Sequence, residues 1–227
     1  MCFSPTASFA ASAALVPLGG YSARESLKIN RKYIALALLP LIFGIQQFTE
    51  GFVWLGLLNQ NETQVKIFSY LFLFFAFGLW PFYVPFMVWN IEKEKTWRRK
   101  VLLVLTFAGA VVGVLVYVPL IIGTTLFTTR ICNDCIAYET SRGDLHRNIY
   151  TLMYLVVTVT PFFLASNKKI LVFGGLIVGS IIITLYFYSF AFFSVWCFFA
   201  AVLSAYIVYV IKTEDQRTET QEAAVSG

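Results

Sequence analysis

The sequence predicts an all-α, polytopic integral membrane protein: a seven-transmembrane-helix bundle with its N-terminus outside and its C-terminus cytoplasmic. Three observations carry this. The first is composition. The 227 residues are 59% hydrophobic, 18% aromatic and only 13% charged, where a soluble domain runs near 45–50% apolar and about 25% charged. A mean hydropathy of +0.75 agrees. The second is spacing. Apolar residues gather in seven segments, about 3–19, 33–58, 66–90, 101–123, 149–165, 170–188 and 190–211, and roughly 17–25 helical residues cross a bilayer core. The third is where the basic residues fall. Arg24, Lys28, Arg31, Lys32, Lys93, Lys95, Arg98, Arg99, Lys100, Lys168, Lys169, Lys212 and Arg217 lie on one side of this layout, thirteen of the seventeen. Lys66, Arg130, Arg142 and Arg147 lie on the other. Cytoplasmic loops collect Lys and Arg, and only an odd number of spans produces this split.

Taken in order, the first segment is short, rich in Ala and Ser, and contains Pro17. No basic stretch precedes it, so no secretory signal peptide is expected. Ser4, Ser8 and Ser12 are spaced by four and share a small-residue face that lets a second helix approach closely. The third segment holds Trp80-Pro81 and Pro85; Pro40, Pro119 and Pro161 fall in the second, fourth and fifth. Proline is common in membrane helices, but the run from Trp80 to Pro85 can also shape a cavity near mid-membrane through the hydrogen bonds it removes. Residues 124–148 form the one sizeable outer loop. The sixth and seventh segments run almost together, and a tight turn near Tyr188–Ser189 divides them. Residues 1–212 thus form one transmembrane domain. The polar tail 213–227 reads as a disordered cytoplasmic segment.

The second segment organises the rest. In Gln46-Gln47-Phe48-Thr49-Glu50-Gly51-Phe52-Val53-Trp54, Glu50 is the one charged side chain placed inside a span. A charge at mid-membrane costs roughly 2.5–3.5 kcal/mol on insertion scales, so it must face protein or a wet cavity. On a helix, Gln46, Gln47 and Trp54 share its face. Translating residue number into depth gathers other polar groups at the same outer level: Tyr150 and Tyr154, Tyr186 and Tyr188, and Ser194, Trp196 and Cys197. The expected binding set is Glu50, Gln46, Gln47, Trp54, Trp80, Tyr186, Ser194 and Trp196. Serine bonding to its own helix, and interfacial Tyr and Trp belts, can also create such a band.

Several chemistries find no residues to carry them. Retinal would need a lysine inside the last span, and Lys212 lies at its end. Zinc needs three or more ligands, and the single histidine, His146, lies in the outer loop; no metal site is expected. That count also excludes a histidine pair for haem, and no cofactor is expected. No nucleophile–histidine pairing can be drawn, and Cys2 has no basic partner to make it a thiolate. No catalytic residue is assigned. Cys132-x-x-Cys135 reads as a short disulfide candidate in an oxidising compartment, with a redox or metal role as the alternative. Basic residues placed by the membrane rule do not call for nucleic acid.

The opening MCFSPTASF, the stretch QQFTEGFVW and the stretch FFSVWCFFAA together resemble an uncharacterised bacterial family of small multi-pass membrane proteins whose members begin MCFS-x-x-ASF. The resemblance covers nearly the whole chain. It implies a cell-membrane location, the bacterial inner membrane, and supplies no activity. From the residues, the expected function is a small-molecule or proton/cation-coupled transporter-like protein with its site at Glu50. One alternative is a sensor or receptor with an outward aromatic pocket and a cytoplasmic partner at the basic loop 91–100. The other is an intramembrane enzyme acting on a lipid-soluble substrate. The expected partners are the bilayer and an unidentified small molecule or ion.

Overall fold

The computed structural model describes the backbone of residues 4–93, 95–141 and 144–214, and their side chains except at 144–147. The described residues form seven helical rods and one β-hairpin. The rods are α1 (Pro5–Ile29); α2 (Ile34–Ala37) running into α3 (Leu39–Leu58); α4 (Glu62–Leu73) running through a π-helical turn (Phe74–Leu79) into α5 (Trp80–Ile91); α6 (Trp97–Ile121); α7 (Asp144–Leu164); α8 (Lys168–Phe187); and α9 (Phe192–Ser204), which continues through 206–214. Five of these rods are long and apolar enough to cross a membrane: Arg31–Leu58, Glu62–Ile91, Trp97–Ile121, Lys168–Phe187 and Ser189–Glu214. The first is too polar for that class, and the fifth is a shorter apolar helix, Asn148–Leu164.

Three features differ from the sequence expectation. The first helix does not stop near residue 19 but runs to Ile29. Nothing between Gly20 and Ile29 breaks a helix, and Lys28 pairs with Glu25 one turn back, at 2.9 Å. The outer loop is not irregular. It holds β1 (Phe127–Cys132) and β2 (Cys135–Thr140), an antiparallel pair, so the fold is helical with one hairpin rather than all-α. Finally, the helix extends into the expected tail as far as Glu214, where Lys169 donates to Glu214 at 3.1 Å.

The rods follow from local chemistry. Ser4, Asn61, Thr96 and Asn167 each cap a helix start with a side-chain oxygen, the favoured use of these residue types. Pro40 and Pro81 sit in the first turn of α3 and α5, where a missing N–H costs nothing. Each therefore marks a break in its rod: the turn at Leu38, and the π-helical turn ending at Leu79.

Close packing relies on small residues. The buried face of α1 is Ser8, Ser12, Leu15, Gly19, Ser22 and Ser26, and it lies along α3. A Cβ at Gly19 would collide with the backbone of Leu41. α5 and α6 meet through Gly109 and Gly113. Pro85 has no N–H to offer the carbonyl four residues back, at Pro81, and that carbonyl presses on Gly109, where a Cβ could not fit. One turn on, a Cβ at Gly113 would lie 2.7 Å from the Gly78 carbonyl. Carbonyls loosened by proline and the π-turn thus face glycines, the geometry of weak Cα–H contacts.

The hairpin closes one end of the bundle. Its two turn residues, Asn133 (φ 47°) and Asp134 (φ 57°), both adopt the left-handed conformation that a two-residue hairpin turn demands and Asn and Asp tolerate. Side chains on a strand alternate between faces, yet Cys135, Ile136, Ala137 and Tyr138 are all buried. Both faces of β2 are therefore covered by helices. Tyr138 stacks on Phe72 at 4.8 Å, and Cys135 packs with Ala191 and Val195. β1 lies outside it, tied to α4 by a hydrogen bond between Ser69 and Thr129 at 3.0 Å.

Candidate functional site

The site is built on α3, which lies between two rods. α1 covers one side, where Phe9 meets Gly51 and Val16 meets Gly44. α9 covers the other, where Ser194 Oγ donates to Glu50 Oε1 at 2.6 Å. Glu50 is 2% exposed, and Gln46 and Gln47 are fully buried. Ser194 belongs to the first turn of α9, whose start no side chain caps. Gln47 places its amide beside the same carboxyl without closing a hydrogen bond.

Gln46 is held from another direction. Trp80 Nε1 donates to Gln46 Oε1 at 2.8 Å, and the indole stacks on Phe43 at 4.0 Å. Trp80 opens α5 directly after the π-turn, a feature that recurs at functional sites. Trp196 is buried one turn beyond the start of α9, stacked on Phe192 at 5.4 Å and edge-on to Tyr154 at 5.7 Å. Cys197 lies buried within the field of Glu50 and beside Gln46.

Gln47 and Tyr138 set further buried polar groups near the carboxyl. Gln46 Nε2, both polar atoms of Gln47, Trp196 Nε1 and the Tyr138 hydroxyl are buried with no hydrogen-bond partner among the described residues. Leaving such an atom unpaired costs about 1–3 kcal/mol, so a core that keeps this set calls for an explanation beyond packing. Burial, and then the nearby Glu50 carboxylate, raise Tyr138 well above the usual tyrosine range, so it stands as a neutral phenol.

Of the expected binding set, Glu50, Gln46, Gln47, Trp80 and Ser194 come together; Trp196, two residues past Ser194 on α9, packs instead on Phe192 and Tyr154. Trp54 is buried on α3, one turn further along. Tyr186 does not join them: it is 81% exposed. The buried stripe of α8 runs Ile170, Phe173, Ile177, Ser180, Ile181 and Thr184. Two residues past Thr184 is about 200° around the helix, which turns Tyr186 outward. Ser4 is exposed and serves as the α1 cap. Cys132 and Cys135 face each other as the last pair of the ladder. Cys2 and the tail beyond Glu214 lie outside the described residues, as does the side chain of His146. The described residues hold no cluster of three or more His, Cys, Asp or Glu able to bind a metal.

Sequence reasoning missed Tyr138. Its signal was the apolar run Cys135-Ile136-Ala137-Tyr138 beside Asn-Asp, with β-branched residues on the near side, inside an otherwise polar loop.

Two cavities lie near the site, and Glu50 lines neither. One, about 550 Å³, lies at the hairpin end between β2, α7 and the start of α9. The second, about 40 Å³, is apolar and lies among α3, α5, α7, α8 and α9, lined in part by Phe43, Trp80, Phe162, Phe173 and Cys197. Tyr154 lines both.

These features define a class: a predominantly helical bundle with five membrane-length apolar rods and, at Glu50, a buried carboxyl bonded by a hydroxyl of another rod. The chain belongs to the family of unknown function DUF6629, which matches residues 1–224. No curated protein and no solved structure matches it.

Proposed function

We propose that this is a multi-pass protein of the bacterial inner membrane, N-terminus outside, that moves a small molecule coupled to a proton or cation at Glu50. The observation that carries the reading is the placement of the carboxyl. It is enclosed by protein, held by the Ser194 hydroxyl, and set beside the Gln47 amide and the Tyr138 phenol, which have no hydrogen-bond partner among the described residues. A carboxyl so placed can load and release a proton. The proline and π-turn breaks beside Trp80 supply rod segments that can shift separately.

A second reading is supported by β2. A buried strand whose Tyr138 lies within the field of the carboxyl would feel a ligand arriving at the hairpin end, as a receptor requires.

The test needs no known substrate. Full-length protein in liposomes adsorbed to a solid-supported membrane is given a rapid proton jump. A transient charge displacement is expected in wild type and its loss in Glu50→Gln. Equal displacements in the two proteins, or none in wild type, would contradict the reading.

A further inference from the structure

At the end of the bundle opposite the hairpin, a second buried carboxyl holds a short turn. Glu92 caps the C-terminal end of α5 and is 3% exposed. Its Oε1 accepts from Ser166 Oγ at 2.5 Å and its Oε2 from the Ser166 N–H at 2.8 Å, so both oxygens grip the turn between α7 and α8. Arg98, in the first turn of α6, donates to the same Ser166 Oγ at 3.2 Å. Beyond the turn, Lys169 donates to Thr213 Oγ1 at 2.5 Å and to Glu214 at 3.1 Å, which joins the start of α8 to the end of the α9 rod.

One element connects this clasp to the Glu50 site. Trp80, the first residue of α5, holds Gln46 at 2.8 Å, and Glu92 lies about 18 Å further along the same rod. The π-helical turn and Pro81 separate α5 from α4, while the close approach at Gly109 fixes α5 to α6. α5 and α6 thus act as one body, and Glu92 and Arg98 are its two holds on Ser166. A buried carboxylate contributes little more to stability than apolar packing of the same volume. Its bonds are strong and directional when closed, and water can take them over when they open. Inside the clasp the packing is incomplete. The 40 Å³ cavity reaches from Trp80 and Cys197 to Phe162, which lies about one helical turn before Ser166.

We propose that the Glu92–Ser166 clasp is a gate, closed in this structure, between the Glu50 site and the face opposite the hairpin. Opening it frees α5 and α6 to tilt away from the α7–α8 turn and exposes the cavity beside Cys197 to that face. The inference rests on the reading of Glu50 as a coupling site and adds where the protein opens to one of its two sides.

Cys197 reports the gate, being 2% exposed and lining the cavity. Full-length protein in sealed vesicles of either orientation is treated with a charged, membrane-impermeant maleimide, and mass spectrometry follows modification of Cys197. From the clasp face, Glu92→Ala should raise the rate at least about ten-fold over wild type, the loss of charge-assisted bonds favouring the open form. From the hairpin face the change should stay below about two-fold. Ser166 is exposed, so Ser166→Ala decides if Glu92→Ala fails to fold; it removes only the hydroxyl bonds and should raise the clasp-face rate about three-fold. An unchanged rate in both variants, or one raised equally from both faces, would overturn the gate, the second outcome marking a general loosening of the bundle. If the gate fails while the proton-jump displacement persists and is lost in Glu50→Gln, the gate alone falls. If wild type shows no displacement, the reading beneath it falls as well.

Discussion

Glu50 has one hydroxyl donor for a group that can accept several bonds, and the structure surrounds it with amides and a phenol rather than a cation. Glu50→Gln should therefore keep the fold, within about 1 kcal/mol, because the amide matches the neutral acid in size and polarity. Glu50→Ala leaves a polar hole and should cost about 2–3 kcal/mol more. Thermal unfolding in detergent compares them; a Gln variant less stable than the Ala variant would show that the carboxylate charge itself holds the bundle. This residue was legible in the sequence because a charge in an apolar run must be buried against protein, and Gln46 and Gln47 followed from helical spacing. Tyr186 was misplaced because depth alone assigned it. Which way a residue faces depends on the phase of the buried stripe, and α8 is apolar nearly all round.

Elements are positioned by where the backbone loses its own bonds. The α5–α6 contact depends on a glycine meeting a carbonyl freed by Pro85, so Gly109→Ala should destabilise by about 1–3 kcal/mol through overpacking. Gly20→Ala, with open space around its Cβ, should be neutral or gain up to about 1 kcal/mol from helix propensity. Denaturation of the pair in one detergent separates the effects, and equal stability of both variants would rule out the close approach. At the hairpin, Tyr138→Phe keeps the stack on Phe72 and removes a partnerless hydroxyl, so it should be neutral or slightly stabilising. Tyr138→Ala should cost about 3–5 kcal/mol. A destabilised Phe variant would mean that the hydroxyl is bonded in the fold. The Gly109-x-x-x-Gly113 spacing was readable as a packing motif, whereas the carbonyls it meets were not, since they belong to another rod. The hairpin was hidden because the polar residues around it, Thr128, Thr129, Arg130, Asn133 and Asp134, have the composition of a loop.

At the scale of the whole molecule, hydropathy located seven helical rods and left their ends open. The first rod outran its apolar stretch because good helix formers continue past it, which shows that hydropathy marks burial in lipid rather than helix length. The thirteen-to-four division of basic residues sets the expected orientation. Cysteine introduced at Lys95 should be labelled only from the cytoplasmic side, and cysteine at Thr128 on β1 only from the opposite side. Labelling of both from one side would break the antiparallel arrangement on which the site depends. The central claim is that Glu50 exchanges a proton inside the bundle. Infrared difference spectroscopy between acidic and alkaline buffer tests it most directly. A protonated-carboxyl C=O band that disappears as the pH rises should be present in wild type and missing in Glu50→Gln, and a spectrum identical in the two proteins would contradict it.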